Sequence, residues 1–157
     1  MRVHTPVFVG PVVALALVAV ASAQMPKGLE GTWKLNVAKS RFDPGPAPKS
    51  MTITYAPATD GVRITVQQVA ADGTTQKWDM TPKFDGKDYP VTGHPAADTI
   101  ALGKSDGMKS ESTFKKGGKL VAVNTRTLSA DGKTLTIESK GTDEKGRPTH
   151  NVQVYER

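Results

Sequence analysis

The chain predicts an all-β protein, an up-and-down antiparallel β-barrel of about 8–10 strands. Three observations lead there. Turn-forming pairs recur at Asp60-Gly61, Asp72-Gly73, Asp85-Gly86, Asp106-Gly107, Gly117-Gly118, Asp131-Gly132 and Lys145-Gly146. Their spacing is 11 to 14 residues, apart from one interval of 21 that Gly93-His94-Pro95 divides. Such pairs accept the positive φ that tight hairpins require. Between the turns, polar and apolar residues alternate with period two, which gives a strand one dry and one wet face. No segment carries helical periodicity over a useful length. An open sheet of this many strands exposes its edges and leaves a face uncovered; closure into a barrel removes both problems. A sandwich is the competing architecture, but near-constant strand and turn lengths favour a simple meander.

The elements follow in order. Residues 1–23 read as a secretory signal. Arg2 supplies the positive start, Val7 to Ala21 is apolar except at Gly10 and Pro11, and Ala21-Ser22-Ala23 has the small-x-small form of a cleavage site. The alternative is an N-terminal anchor, for which the apolar run is short. With no Cys in the chain, neither a lipid anchor on cysteine nor a disulfide framework is available. The expected product, residues 24–157, is one barrel domain, periplasmic or secreted, with no stable membrane anchor.

Strands are expected at 31–37, 50–57, 62–70, 74–83, 87–92, 97–103, 108–116, 119–128, 133–140 and 148–157. Trp33, Leu35 and Val37 share a face in the first, Met51, Ile53 and Tyr55 in the second, Val62, Ile64 and Val66 in the third, Trp78 and Met80 in the fourth. Leu135 and Ile137 do so near the end. Around Leu120 to Leu128 both faces carry apolar residues, so that strand is expected to be covered on both sides. Between the first two strands, Phe42-Asp43-Pro44-Gly45-Pro46-Ala47-Pro48 is a rigid irregular connection, and its prolines forbid helix.

The chain is lean. Sixteen of its apolar residues lie in residues 1–23, and among the remaining 134 only 22 are Leu, Ile, Val or Phe. That level borders on disorder, but a net charge of +6 is too mild to hold a chain open. So few large aliphatic residues fill a barrel interior only with help from aromatics, Thr, Gln, and water or a ligand.

Gly31-Thr32-Trp33-Lys34-Leu35, followed by Phe42-Asp43, resembles the opening of the calycins, the lipocalins and fatty-acid-binding proteins. Val154-Tyr155-Glu156-Arg157 is similar to their last strand. The resemblance implies that Gly31 and Trp33 close one barrel end and that Arg157 packs over the Trp33 ring, a cation–π contact of roughly 0.5–2 kcal/mol. It implies a bound small molecule. In fatty-acid-binding proteins two helices between the first strands form a lid, which the proline connection here replaces or omits. Their last strand carries Arg-x-Tyr against a ligand carboxylate, and the matching positions read Gln153-Val154-Tyr155. Gln carries no charge, and retinol-binding members use Gln for a neutral head. A partly apolar, neutral or weakly polar ligand is therefore expected, unless Arg126 supplies the charge. The chain also resembles a group of secreted bacterial proteins of unassigned function, through Ala38-Lys39-Ser40, Pro44 to Ser50 and Gly86 to Gly93.

The expected ligand-binding residues are Trp78, Tyr89, Arg126, Gln153 and Tyr155. For Trp78, Tyr89 and Tyr155 the competing account is plain core packing. Tyr89-Pro90 and Gly93-His94-Pro95 break strand regularity near a barrel end, so His94 and Asp98 form an expected rim. Asp98 near His94 is the one candidate acid–base pair, and turns routinely hold such residues. No catalytic residue, metal ligand or cofactor is assigned. Gly103-Lys104-Ser105 lacks the glycine and the helix of a phosphate loop. Ser112-Thr113-Phe114-Lys115 lacks the helix of the penicillin-binding enzymes. The lysines at 109, 115, 116 and 119 surround one turn and read as a solvated hairpin tip more readily than as an anionic-lipid or polysaccharide contact. Nucleic-acid binding is not expected; oligomeric state is open. Two rival functions remain: an envelope-associated interaction protein with a packed barrel and an external site, and a small barrel enzyme of isomerase or cyclase type.

Overall fold

The computed structural model describes residues 25–157. The signal expected at residues 1–23 lies outside them. Ten strands run β1 Gly31–Leu35, β2 Ser50–Ala58, β3 Gly61–Val69, β4 Thr75–Met80, β5 Asp88–Thr92, β6 Thr99–Ser105, β7 Lys109–Lys116, β8 Lys119–Leu128, β9 Thr134–Thr142 and β10 Pro148–Glu156. Each pairs antiparallel with the next, and β10 returns to β1, so the sheet is a closed up-and-down barrel.

The turns form for the expected reason. Asp72 accepts the Thr74 N–H at 2.8 Å, Asp85 that of Lys87 at 3.0 Å, and Asp131 that of Lys133 at 3.0 Å. Asp106 accepts from Met108 and Lys109. Each carboxylate thus satisfies backbone donors that the hairpin leaves over, while the following glycine takes positive φ.

Topology gives the barrel two different ends. Both described termini and the β2–β3, β4–β5, β6–β7 and β8–β9 turns meet at one end, which is closed. Trp33 has 0% exposure there, among Leu29, Val62, Leu135 and Tyr155. Its Nε1 donates to the Leu29 carbonyl at 2.9 Å. The Arg157 guanidinium lies 4.5 Å above the Trp33 ring, and its Nη1 donates to the Glu30 carbonyl at 2.9 Å.

The other end gathers residues 36–49 and the turns at 70–74, 93–98, 117–118 and 143–147. Residues 36–49 hold one 3-10 turn at Val37–Lys39 and then a proline strap. The strap continues the line of β1 along β10: Asn36 N–H donates to the Val154 carbonyl at 2.8 Å, Arg41 bridges Val152, and His150 N–H donates to the Asp43 carbonyl at 2.7 Å.

Strand β8 corrects one expectation. It is not covered on both sides: Leu120 is 58% exposed, and Val121 and Val123 are only half-buried. A single-layer barrel has nothing to lay over its outer face.

Candidate functional site

Period-two alternation sends every second side chain inward. Most of the large apolar lining residues stand on β2 to β6, with Gln68 and Gln76 among them, while Phe114, Ala122 and Ile137 stand on β7 to β9. Met51 and Ile53 on β2, Ile64 and Val66 on β3, Trp78 and Met80 on β4, and Ile100 and Leu102 on β6 are all buried. The facing half, β7 to β10, turns in Ser112, Asn124, Arg126, Thr149 and Gln153. Between the halves lies a cavity of about 330 Å³, within the range of about 300–1,000 Å³ typical of small-molecule sites.

Register fixes the depth of each group. Arg126 pairs with Ser110 on β7 and Ile137 on β9, near the closed end, so it lies at the cavity floor. It is 6% exposed. Its guanidinium carbon is 5.2 Å from the centroid of the Tyr55 ring. Its Nη1 is buried without a hydrogen-bond partner, and so is Asn124 Oδ1, two residues earlier on β8. No described carboxylate forms an ion pair with Arg126. A buried cation without a partner is costly, so this group is a candidate for the chemistry of the site.

Gln153 and Tyr155 also line the cavity, but they are engaged with each other. The Tyr155 hydroxyl donates to Gln153 Oε1 at 2.8 Å and abuts the Met51 sulfur. Burial and then the neighbouring Tyr55 push the Tyr155 phenol well above its ordinary range, so it stays protonated as a donor.

The mouth is covered in part by His94. Its ring meets Trp78 edge-on at 4.9 Å and stacks on Phe114 at 5.6 Å. Nδ1 accepts the Ala96 N–H at 3.0 Å, so the neutral ring carries its proton on Nε2. Burial and then the charge of Lys116 hold its pKa below the usual value. Beside the mouth, a shallower groove of about 420 Å³ runs between the strap at Phe42, Pro46 and Pro48 and the turn at Ala70 to Asp72. It shares the lining residues Met51, Gln68 and Gln153 with the main cavity.

Two expectations meet a different arrangement, Tyr89 as a ligand-site residue and Asp98 as an acid–base partner of His94. Tyr89 does not line the cavity. It stands near the start of β5, toward the closed end, and its hydroxyl donates to Asp85 at 2.8 Å; the rest of β5, Pro90 to Thr92, separates it from the mouth that 94–96 form. His94 and Asp98 do not pair. Asp98 instead accepts the Gly117 N–H at 2.8 Å, tying two turns together. Trp78, Arg126, Gln153, Tyr155 and His94 do come together around one space. Asn124 and Phe114 were missed. Asn124 had a signal, since Asn124-Thr125-Arg126 puts Asn and Arg on one strand face.

No family model matches the chain, and no curated protein matches it. Among solved structures it is similar to zebrafish ileal bile acid-binding protein complexed with cholic acid, at 13% identity. The match covers 83% of this chain and 98% of that one, with a TM-score of 0.50. The barrel is calycin-like. Where the resemblance to fatty-acid-binding proteins implied a two-helix lid, residues 36–49 hold a 3-10 turn and a proline strap.

Proposed function

We propose that this protein is a small-molecule carrier acting outside the cytoplasm, and that its ligand is a partly apolar molecule with one acidic head group. Arg126 carries the reading: a guanidinium at the floor of a cavity, with a buried Nη1 and no partner. A carboxylate there supplies both countercharge and acceptor. The largely apolar wall of β2 to β6 takes one face of the ligand and the polar groups of β8 and β10 the other. The solved barrel of similar shape is a bile acid-binding protein with cholic acid bound, which supports a small-molecule site. The export pattern in residues 1–23 supports the compartment. Tyr155 takes one lone pair of the Gln153 amide oxygen, so the reading rests on Arg126 in preference to the neutral ligand that Gln153 suggests.

Native mass spectrometry and calorimetry with decanoate and decanol test this. Decanoate should bind about tenfold or more tighter, as expected for hydrogen bonds to a charged group, and Arg126→Gln should remove the difference. Equal binding of the two by the unchanged protein would overturn the acidic-head reading.

A further inference from the structure

We infer that the acid held in this cavity carries a second polar group, an uncharged acceptor such as a hydroxyl, at the end of its chain remote from the head, and that His94 selects it. This rests on the reading of Arg126 as the anion site. His94 lines the cavity and is half-buried. Its Nδ1 accepts the Ala96 N–H at 3.0 Å, which fixes both the orientation of the ring and its tautomer. Nε2 therefore carries the proton and is a donor. That donor has no hydrogen-bond partner among the described residues. Nor is it sealed off: the buried side-chain atoms without a partner are Asn124 Oδ1 and Arg126 Nη1 among those residues. Nε2 is thus open to a molecule in the mouth.

Ring geometry aims the donor. Nδ1 is turned back into its own loop, so Nε2, on the far side of the ring, points away from that loop's backbone. The ring is held at the mouth by Trp78, edge-on at 4.9 Å, and by Phe114, stacked at 5.6 Å, and both line the same cavity. Burial and Lys116 keep the imidazole neutral, so it offers a single N–H, which an uncharged oxygen matches. Register gives the span. Arg126 pairs with Ser110 on β7, and Phe114 lies four residues further along that strand, opposite Ala122, about 13 Å away. An extended chain advances about 1.2 Å per bond. An acid of about ten carbons, headed by Arg126, therefore brings its far end to His94.

The test titrates the purified chain, freed of lipid, with decanoate, 10-hydroxydecanoate and sebacate by calorimetry. The hydroxy acid should bind about fivefold tighter than decanoate, although its end is the more polar. His94→Phe keeps a stacking ring and removes the N–H, and should bring that ratio to one or below. A terminal hydroxyl worth less than twofold in the unchanged protein overturns the inference without recourse to any variant. So does a preference that survives in His94→Phe, which would mean that another group holds the hydroxyl. Sebacate binding tighter than 10-hydroxydecanoate would overturn the uncharged acceptor in favour of a second carboxylate on Lys116. If no acid binds the unchanged protein, the Arg126 reading itself fails, and this inference with it.

Discussion

Arg126 sets stability against use. Among the described residues it is a buried cation whose Nη1 has no hydrogen-bond partner and whose guanidinium lies beside the Tyr55 ring. Arg126→Met removes that cost and keeps a side chain of similar length. It should raise unfolding stability by on the order of 1 kcal/mol while abolishing preference for acids, read by denaturant melts beside the decanoate titration. Trp33 is the opposite case: fully buried, hydrogen-bonded and far from the cavity mouth. Trp33→Ala should cost roughly 3–5 kcal/mol, and a loss below about 1 kcal/mol would show that it does not close the barrel. His94 gives a pH signature. Its folded pKa lies below the unfolded value, near 6.5. Between the two the unfolded chain binds more protons, so stability is complete above about pH 6.5 and falls as pH drops through the lowered folded value. Groups facing it are Lys116 from β7, which opposes protonation, and the uncharged rings of Trp78 and Phe114; Asp98, on its own loop, is held by Gly117. His94→Phe should remove part of the stability loss between pH 7 and pH 5; equal slopes in both proteins would refute this. Sequence named Trp33, Arg126 and His94 because rings and charges stand out in a lean chain. It missed Asn124, which lines the cavity with an unpartnered Oδ1, because only coordinates show what its neighbours offer.

At the scale of elements, turn chemistry was the readable part. Asp-Gly pairs announced the hairpins, and strand ends followed within a few residues. The misplacements have local causes. The segment expected at 74–83 pairs as Thr75–Met80 because Pro82 has no N–H to give; only Gly61 and Lys83 bridge beyond it. The first strand ends at Leu35 because Asn36 accepts the Lys39 N–H and starts a 3-10 turn. Two glycines test the turns. Gly86, φ +74, has nothing within 4 Å of a Cβ, whereas at Gly93, φ +85, a Cβ would stand 2.3 Å from the Lys77 carbonyl. Gly86→Ala should cost about 1 kcal/mol for the backbone alone, and Gly93→Ala markedly more, because backbone atoms must move. Comparable melting losses in the two variants would contradict the packing of the 93–98 turn against β4.

The whole barrel is held unevenly. β9 and β10 share nine register pairs, as do β2 and β3, whereas β1 and β10 share two and β4 and β5 share two. Amide exchange should accordingly be slowest in β2, β3 and β9 and fastest, among strand residues, along the two short seams; a seam that exchanges as slowly as β2–β3 would show closure to be stronger than its pairing. Closure and topology were legible from turn spacing. The concentration of polar groups such as Arg126, Asn124 and Gln153 on β8 and β10 was not, because alternation tells which residues point inward but not which strands face each other across the space.

The proline strap carries a kinetic consequence. Its backbone is pinned to β10 at Asn36, Arg41 and Asp43, and a groove separates it from the 70–72 turn; a ligand that leaves by that groove needs no segment to unfold. For a micromolar ligand arriving at about 10⁶ M⁻¹s⁻¹, residence then lasts on the order of one second. Stopped-flow release should show a single fast phase of that order. For the carrier proposed above, such rapid turnover suits a shuttle better than a long-term store.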